Sequence, residues 1–314
     1  MTEQREAPVT TGLRILLAHD LSTHADRAAT LVAETAWPAG TIVRVVTSPA
    51  GLGPPLSSFA DLHEIRAHSA EVRRLITDAH EALVDTLQGA GLAVETAIVH
   101  GKPEHRVVAE ARRFEADLVV VGSRGQGSIA AAFLGSVSRA VADDAPCSVL
   151  IARSSTVQRV VLATDGEASA RYATGMVASW PAFGESSILV VSVAEQPPRY
   201  PRAVLSADAW RAAFRDSINA STDLAGDVVE EAAGELTGRE VEVEIRVGDA
   251  ATEIVAAANA WQADLVVLGS NRRSLLARLF SENVPRAVLD GLDVSVLVAR
   301  SPAGAPEADD SAGA

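Results

Sequence analysis

The chain of 314 residues has a single cysteine, Cys147, so no internal disulfide framework is available to it, and one thiol fits a reducing compartment. Cys147 opens the apolar run Cys147-Ser148-Val149-Leu150-Ile151-Ala152, which reads as a buried strand thiol and not as an exposed nucleophile. Positive charge is also scarce, with 27 Lys and Arg against 41 Asp and Glu, net −14. That balance argues against nucleic acid or an anionic membrane as a partner, so any anion bound here must be held locally. No apolar stretch approaches the roughly 18–20 residues of a membrane-crossing helix. The first twelve residues lack the charged-then-apolar layout of a signal peptide, and the expectation is a cytoplasmic protein. What the chain does have is apolar material, 48% of its residues, and the length of about two domains.

The two halves are one unit written twice. Residues 101–153 align without a gap on 248–300, with 23 of 53 positions identical. The shared blocks include Ala116-Asp117-Leu118-Val119-Val120 with Ala263-Asp264-Leu265-Val266-Val267, and Ser148-Val149-Leu150 with Ser295-Val296-Leu297. Upstream, Arg14-Ile15-Leu16-Leu17-Ala18-His19-Asp20 pairs with Arg159-Val160-Val161-Leu162-Ala163-Thr164-Asp165. The expected layout is a tail over 1–12, a first domain over 13–153, a linker over 154–158, a second domain over 159–300 and an acidic tail over 301–314.

Within each copy, short β-branched runs alternate with helical patterns, which is the sequence sign of βαβ units around a parallel sheet. Strands are expected over 15–18, 42–47, 94–99, 118–121 and 148–152, and in the second copy over 188–193 and 241–247. Most are continuous apolar runs, as when helices cover both sheet faces. Long helices are expected from Leu62 to a Gly89-Ala90-Gly91 stop and from about Ser206 to Leu236. The fold class is therefore α/β: two tandem Rossmann-like domains, each an open, mainly parallel five-stranded sheet flanked by helices. Turn-rich insertions at 48–55 and 196–201 follow the second strand of each copy and should lie at the carboxyl edge of the sheet.

After the fourth strand of the first copy comes Gly122-Ser123-Arg124-Gly125-Gln126-Gly127-Ser128, then Gly135-Ser136, a G-x2-G-x9-G-S spacing. A strand, a turn of small residues and a helix N-terminus let backbone N–H groups close around an anion. Residues 122–142 contain no acid and carry Arg124 and Arg139, so this segment is locally cationic in an acidic chain. It is neither a P-loop, lacking Gly-Lys-Ser/Thr, nor the dinucleotide fingerprint, which follows the first strand. Asp20 reads either as a helix N-cap or as a ligand contact. Gly101-Lys102-Pro103 reads as a turn entering a helix. The seven histidines show no metal-ligand spacing, and His19 and His100 are expected as packing or rim residues.

These residues resemble the universal stress proteins (UspA-like) in their tandem two-domain form. The features that carry the resemblance are Asp20, Gly101-Lys102-Pro103, the Ala-Asp-Leu-Val-Val-Val-Gly-Ser block and the full glycine motif. The resemblance implies an adenine nucleotide alpha-hydrolase-like fold and a first domain that binds ATP, with Mg2+ left open. It implies triphosphate and ribose contacts at Gly122, Gly125, Gly135 and Ser136, continued by Val137 and Ser138, and adenine contacts at Asp20 and Val45. Gly101 and Arg124 complete the expected nucleotide set. It further implies that the final strands of the two halves pair, giving an intramolecular pseudo-dimer, with a homodimer left open.

The second copy departs from this pattern. Gly269 stays, but Arg272, Glu282 and Asn283 stand where the first copy has Gly125, Gly135 and Ser136. A side chain at the first place fills the space that backbone needs to approach phosphate, and Glu282 adds like charge, so the second domain is not expected to bind ATP in this way. Three functions follow in order: a nucleotide-binding stress-response regulator, a slow ATPase or phosphotransferase drawing its base from Asp20, Asp117 or a loop, and an interaction scaffold.

Overall fold

The computed structural model describes residues 12–50, 61–125, 134–195, 208–270 and 284–301. Contacts divide the chain into two compact units, one of Met1–Thr156 with Ser179–Ala182 and one of Val157–Ala178 with Phe183–Ala314.

In the first unit, the strands are β1 (Arg14–Ala18), β2 (Ile42–Thr47), β3 (Ala93–Ile98), β4 (Leu118–Gly122) and β5 (Ser148–Ala152). The helices between them are α1 (Thr23–Glu34), α2 (Leu62–Gly89), α3 (Pro103–Arg113) and α4 (Ser136–Asp144). All neighbouring strands are parallel, in the order β3-β2-β1-β4-β5. Every residue of β4 and β5 is buried, and Ile15, Leu16, Leu17, Leu118 and Ile151 are among the largest side chains removed from solvent entirely. Helices on both faces are the reason these strands read as unbroken apolar runs. Cys147 is buried at the entry to β5.

The chain moves outward from β1 to β3 and then returns to the other side of β1 for β4. That reversal opens a crevice outside the carboxyl ends of β1 and β4, the place where open α/β sheets bind ligands.

The second unit repeats the plan with β6 (Arg159–Ala163), α5 (Ala168–Ser179), β7 (Ser187–Glu195), α6 (Asp208–Glu235), β8 (Val241–Gly248), α7 (Ala250–Ala260), β9 (Leu265–Gly269), α8 (Val284–Gly291) and β10 (Ser295–Ala299). Its strands are parallel in the order β8-β7-β6-β9-β10. Among the described residues, no helix is long and apolar enough to cross a membrane.

The repeated Ala-Asp-Leu-Val-Val block has a structural task in each unit. The backbone N–H of Arg14 donates to Asp117 Oδ2 at 2.8 Å, and Arg14 Nε donates to the carbonyl of Phe114 at 2.6 Å. The Arg14 guanidinium lies 4.3 Å from the centroid of the Phe114 ring. Arg159 repeats each element: its N–H reaches Asp264 Oδ1 at 3.1 Å, its Nε reaches the Trp261 carbonyl at 2.9 Å, and it stacks 4.3 Å from the Trp261 ring. The aspartate therefore ties down the amino end of the central strand, with charge-assisted bonds stronger than neutral ones.

Candidate functional site

A cleft of about 610 Å³ lies at the crevice of the first unit. It is lined from the ends of β1 and β4 (Ala18, His19, Asp20, Val121, Gly122), from the end of β2 (Val46, Ser48), from the first turn of α3 and from the glycine segment. Residues 48–50 of the first insertion reach it through Ser48 and Ala50; residues 51–60 and 196–201 lie outside the described residues.

The floor is built by backbone constraints. After β1, Leu21 takes a left-handed φ of 61°, an uncommon conformation for a branched side chain. His19 Nδ1 accepts the Leu21 N–H at 3.3 Å, and Asp20 Oδ1 accepts the Ser22 N–H at 3.2 Å. Ser22, not Asp20, is the N-cap of α1, its Oγ accepting the Ala25 N–H at 3.2 Å. The second unit makes the same turn with Gly166 at φ 76°, Thr164 Oγ1 accepting the Gly166 N–H and Asp165 Oδ1 accepting the Glu167 N–H. The repeated aspartate is thus a turn-former in both units, and in the first its carboxylate also lines the cleft.

Under this turn, Thr47 donates its hydroxyl to the His19 carbonyl at 2.7 Å and stands 2.8 Å from His80 Nε2. Since Thr47 has one proton to give, His80 Nε2 must donate to it. Burial first, and the neighbouring His19 second, push His80 below its ordinary value, which fits that neutral, donating form. His19 is itself buried and pairs through Nε2 with Asp26 at 3.0 Å.

The roof is α4. Its N-cap is Gly135, which offers no side chain to the first turn, so the backbone N–H groups of Ser136, Val137 and Ser138 have neither an intrahelical nor a capping acceptor. Ser136 and Val137 line the cleft. By contrast α1, α2 and α7 are capped by Ser22, Asp61 and Asp249. Ser138 Oγ donates to the Gly122 carbonyl at 2.6 Å, which fastens α4 to the end of β4. A Cβ on Gly125 would overlap Asp20 Oδ2, and one on Gly135 would stand 3.3 Å from Arg124 Cα. Both glycines hold the loop close to the floor.

Of the expected nucleotide set, Asp20, Gly122, Arg124, Gly125, Gly135, Ser136, Val137 and Ser138 are brought together around the cleft. Val45 and Gly101 are not. Val45 is wholly buried in β2, in register with Leu17 and Thr96, and Val46 supplies the lining in its place. Gly101, at φ 124°, turns the chain into α3 while its carbonyl accepts Ser48 Oγ at 2.8 Å. Pro103 stands at the start of α3, as the Gly-Lys-Pro turn predicts. The sequence places the 48–55 insertion at this edge without singling out Ser48, and it does not point to Lys102 or Glu104 as cleft residues. The available signal was their place after β2 and β3, because a parallel sheet gathers all its carboxyl ends on one edge.

Asp117 lies before β4, at the opposite end of the sheet from the cleft, and its carboxylate is engaged by Arg14. It is therefore removed from the candidate bases, leaving Asp20 and Glu104 as the carboxylates of the lining. Among the described residues, no group of three or more His, Cys, Asp or Glu is placed to hold a metal ion.

The sequence model of the Universal stress protein family matches residues 13–153 and again 156–300. The chain belongs to the universal stress protein family. A universal stress protein of Thermus aquaticus is 33% identical over 144 residues, 44% of this chain and 97% of that one. One from Synechocystis is 34% identical over 103 residues, 33% of this chain and 66% of the relative. The crystal structure of a universal stress protein from Archaeoglobus fulgidus matches 91% of this chain and 98% of its own length, with a TM-score of 0.59 at 19% identity, a likeness of fold.

The duplicated family domain separates packing glycines from loop glycines. A Cβ on Gly122 would lie 2.7 Å from the carbonyl carbon and oxygen of His24 in α1, and one on Gly269 would overlap the carbonyl of Ser169 in α5. This glycine is kept in both halves because backbone packs on backbone there, whatever becomes of the loop that follows. Gly122→Ala and Gly269→Ala are each expected to cost about 1–3 kcal/mol through overpacking, read as a lowered urea midpoint with an unchanged slope. A loss confined to Gly122→Ala would contradict the shared packing role. The second-copy residues Arg272, Glu282 and Asn283 lie outside the described residues.

Proposed function

We propose that the first domain binds an adenine nucleotide, ATP in the leading reading, and that occupancy biases how this cytoplasmic stress-family chain meets its partners. The observation that carries the reading is the uncapped N-terminus of α4 opening onto a roughly 610 Å³ cleft. Unpaired N–H groups and the positive end of the helix dipole favour a phosphate there. The cleft fits the group: its glycines leave the loop backbone close, and Arg124 and Lys102 stand among its lining against Asp20 and Glu104. In this reading, Ser136, Val137 and the Gly122–Gly125 turn hold the phosphates, while Asp20 and Val46 bound the base and sugar side. Two lining carboxylates are too few for a protein cage, so Mg2+ would enter with the phosphates. The second domain, without the glycine pattern, serves as the pairing or partner-binding half.

The test is the nucleotide released on denaturing the full chain after equilibration with ATP, with an expected stoichiometry of about one per chain. Two per chain would show that the second domain binds as well, and none at saturating ATP would remove the reading. Phosphate release that Asp20→Asn abolishes while binding persists would move the assignment to a slow ATPase.

A further inference from the structure

β8 ends the sheet of the second unit. It pairs with β7 on one side, and among the described residues no strand lies on the other. Edge strands are usually kept short or protected by Lys or Pro. β8 is eight residues long, Val-Glu-Val-Glu-Ile-Arg-Val-Gly, has no Lys or Pro, and carries charges of both signs, Glu242, Glu244 and Arg246. Its odd-numbered side chains form an apolar face on which α6 packs, with Ile245 Cδ1 3.5 Å from a Cβ position on Gly226. Yet Val243, Ile245 and Val247 remain 51%, 40% and 39% exposed. Its even-numbered side chains form a charged face: Arg246 bonds Glu244 at 2.9 Å and Glu253 of α7 at 3.2 Å.

The backbone sets which groups face outward. Ile188 N–H donates to the Glu240 carbonyl at 3.0 Å, and in a parallel ladder both polar groups of a residue point to the same side. Even-numbered residues of β8 are therefore committed to β7, and Val241, Val243, Ile245 and Val247 aim their N–H and C=O groups away from it. A second strand added antiparallel must pair these odd residues with odd residues, which limits the register to two-residue steps. Centring on Glu244 sets that carboxylate against its own copy, and centring on Arg246 sets two guanidinium groups face to face. Both are unfavourable. Centring on Ile245 puts Glu244 opposite Arg246 twice, Val243 opposite Val247 twice, and Ile245 opposite itself.

We propose that β8 is a self-complementary pairing edge through which two copies of this chain associate, antiparallel and centred on Ile245. In the pair, the existing Glu244 and Arg246 ion pairs of both copies join into one alternating row. The three exposed aliphatic side chains of each strand meet their counterparts on the other face.

The experiment is sedimentation equilibrium of the full chain over a wide concentration range. The wild type is expected to shift from 32.6 kDa toward twice that mass. Arg246→Glu and Glu244→Arg, each alone, should weaken association about tenfold, since two attractive cross-strand pairs become repulsive, whereas an equimolar mixture of the two variants should recover it. Val243→Pro removes an outward N–H and alters a side chain that is 51% exposed, changes that an edge strand tolerates, and should abolish association while leaving the melting temperature near that of the wild type. A wild type that stays at the mass of one chain, or a dimer that survives Val243→Pro, overturns the proposal. The nucleotide assignment is untouched by either result.

Discussion

Replacing Gly125 with glutamate is expected to remove the stabilisation that ATP gives this protein. A ligand at 100 times its dissociation constant stabilises the folded state by about 2.7 kcal/mol. For a domain of roughly 150 residues, this is a rise of about 5–10 °C in the melting temperature. A Cβ on Gly125 would overlap Asp20 Oδ2, so the Asp20 carboxylate must move aside to admit a side chain, and a carboxylate there would face the proposed phosphate site with charge of the same sign. The melting curve of Gly125→Glu should therefore not move on adding ATP, whereas Arg272→Ala, in the half without the glycine pattern, should keep the full shift. An unaltered ATP shift in Gly125→Glu would mean that the nucleotide binds elsewhere.

The second large effect is expected at Glu110, which is 5% exposed on α3. Arg44 of β2 reaches it at 2.9 Å while also bonding Glu95 of β3 through Nε at 2.9 Å, and Arg113 reaches it at 2.7 Å. The Arg44 guanidinium also lies 4.1 Å from the Phe114 ring centroid. Removing one partner of a fully buried ion pair costs about 3–5 kcal/mol. Arg44 keeps Glu95 and Arg113 is 68% exposed, so solvent screens part of the loss and Glu110→Gln should cost about 1–3 kcal/mol in chemical denaturation. The hydrogen bond from Arg113, and then that from Arg44, hold the Glu110 carboxyl below its ordinary value. A carboxyl held low in the folded state binds its proton more readily in the unfolded chain. Its contribution is therefore complete above the unfolded value of about 4.3 and is lost as pH falls through the lower folded value. The wild type should consequently show a steeper loss of stability below about pH 4 than Glu110→Gln. Parallel acid limbs for the two proteins would deny Glu110 this role.

Most of the sheet was legible because its strands are buried on both faces. The expected strand over 42–47 coincides with β2, and that over 148–152 with β5; those over 15–18 and 118–121 each fall one residue short of β1 and β4. The helix from Leu62 stops where expected, with Gly91 at φ 82° beyond it. The glycine segment was legible as well, since a loop backbone held this close to its neighbours needs residues without side chains at fixed places. Single side chains were harder to place. Asp20 and Ser22 both suit an N-cap, and only the backbone path through Leu21 decides that Ser22 takes it. Val45 and Val46 are chemically alike, and which one meets the cleft depends on how the end of β2 leaves the sheet.

By itself, the sequence determined that this is a duplicated α/β protein of one family and that the two copies differ at the glycine pattern. Local spacing and hydrophobic runs carry that information without reference to distant residues. The tertiary structure decided which residues share a site. It brought Ser48, Lys102 and Glu104 to the same cleft as Gly125 and sent Asp117 to the far end of the sheet. It also gave Gly122 and Gly269 a common packing partner in the helix that follows the first strand of each unit. These assignments rest on parallel strands gathering distant segments at one edge, a consequence of register and crossover direction that no local pattern contains.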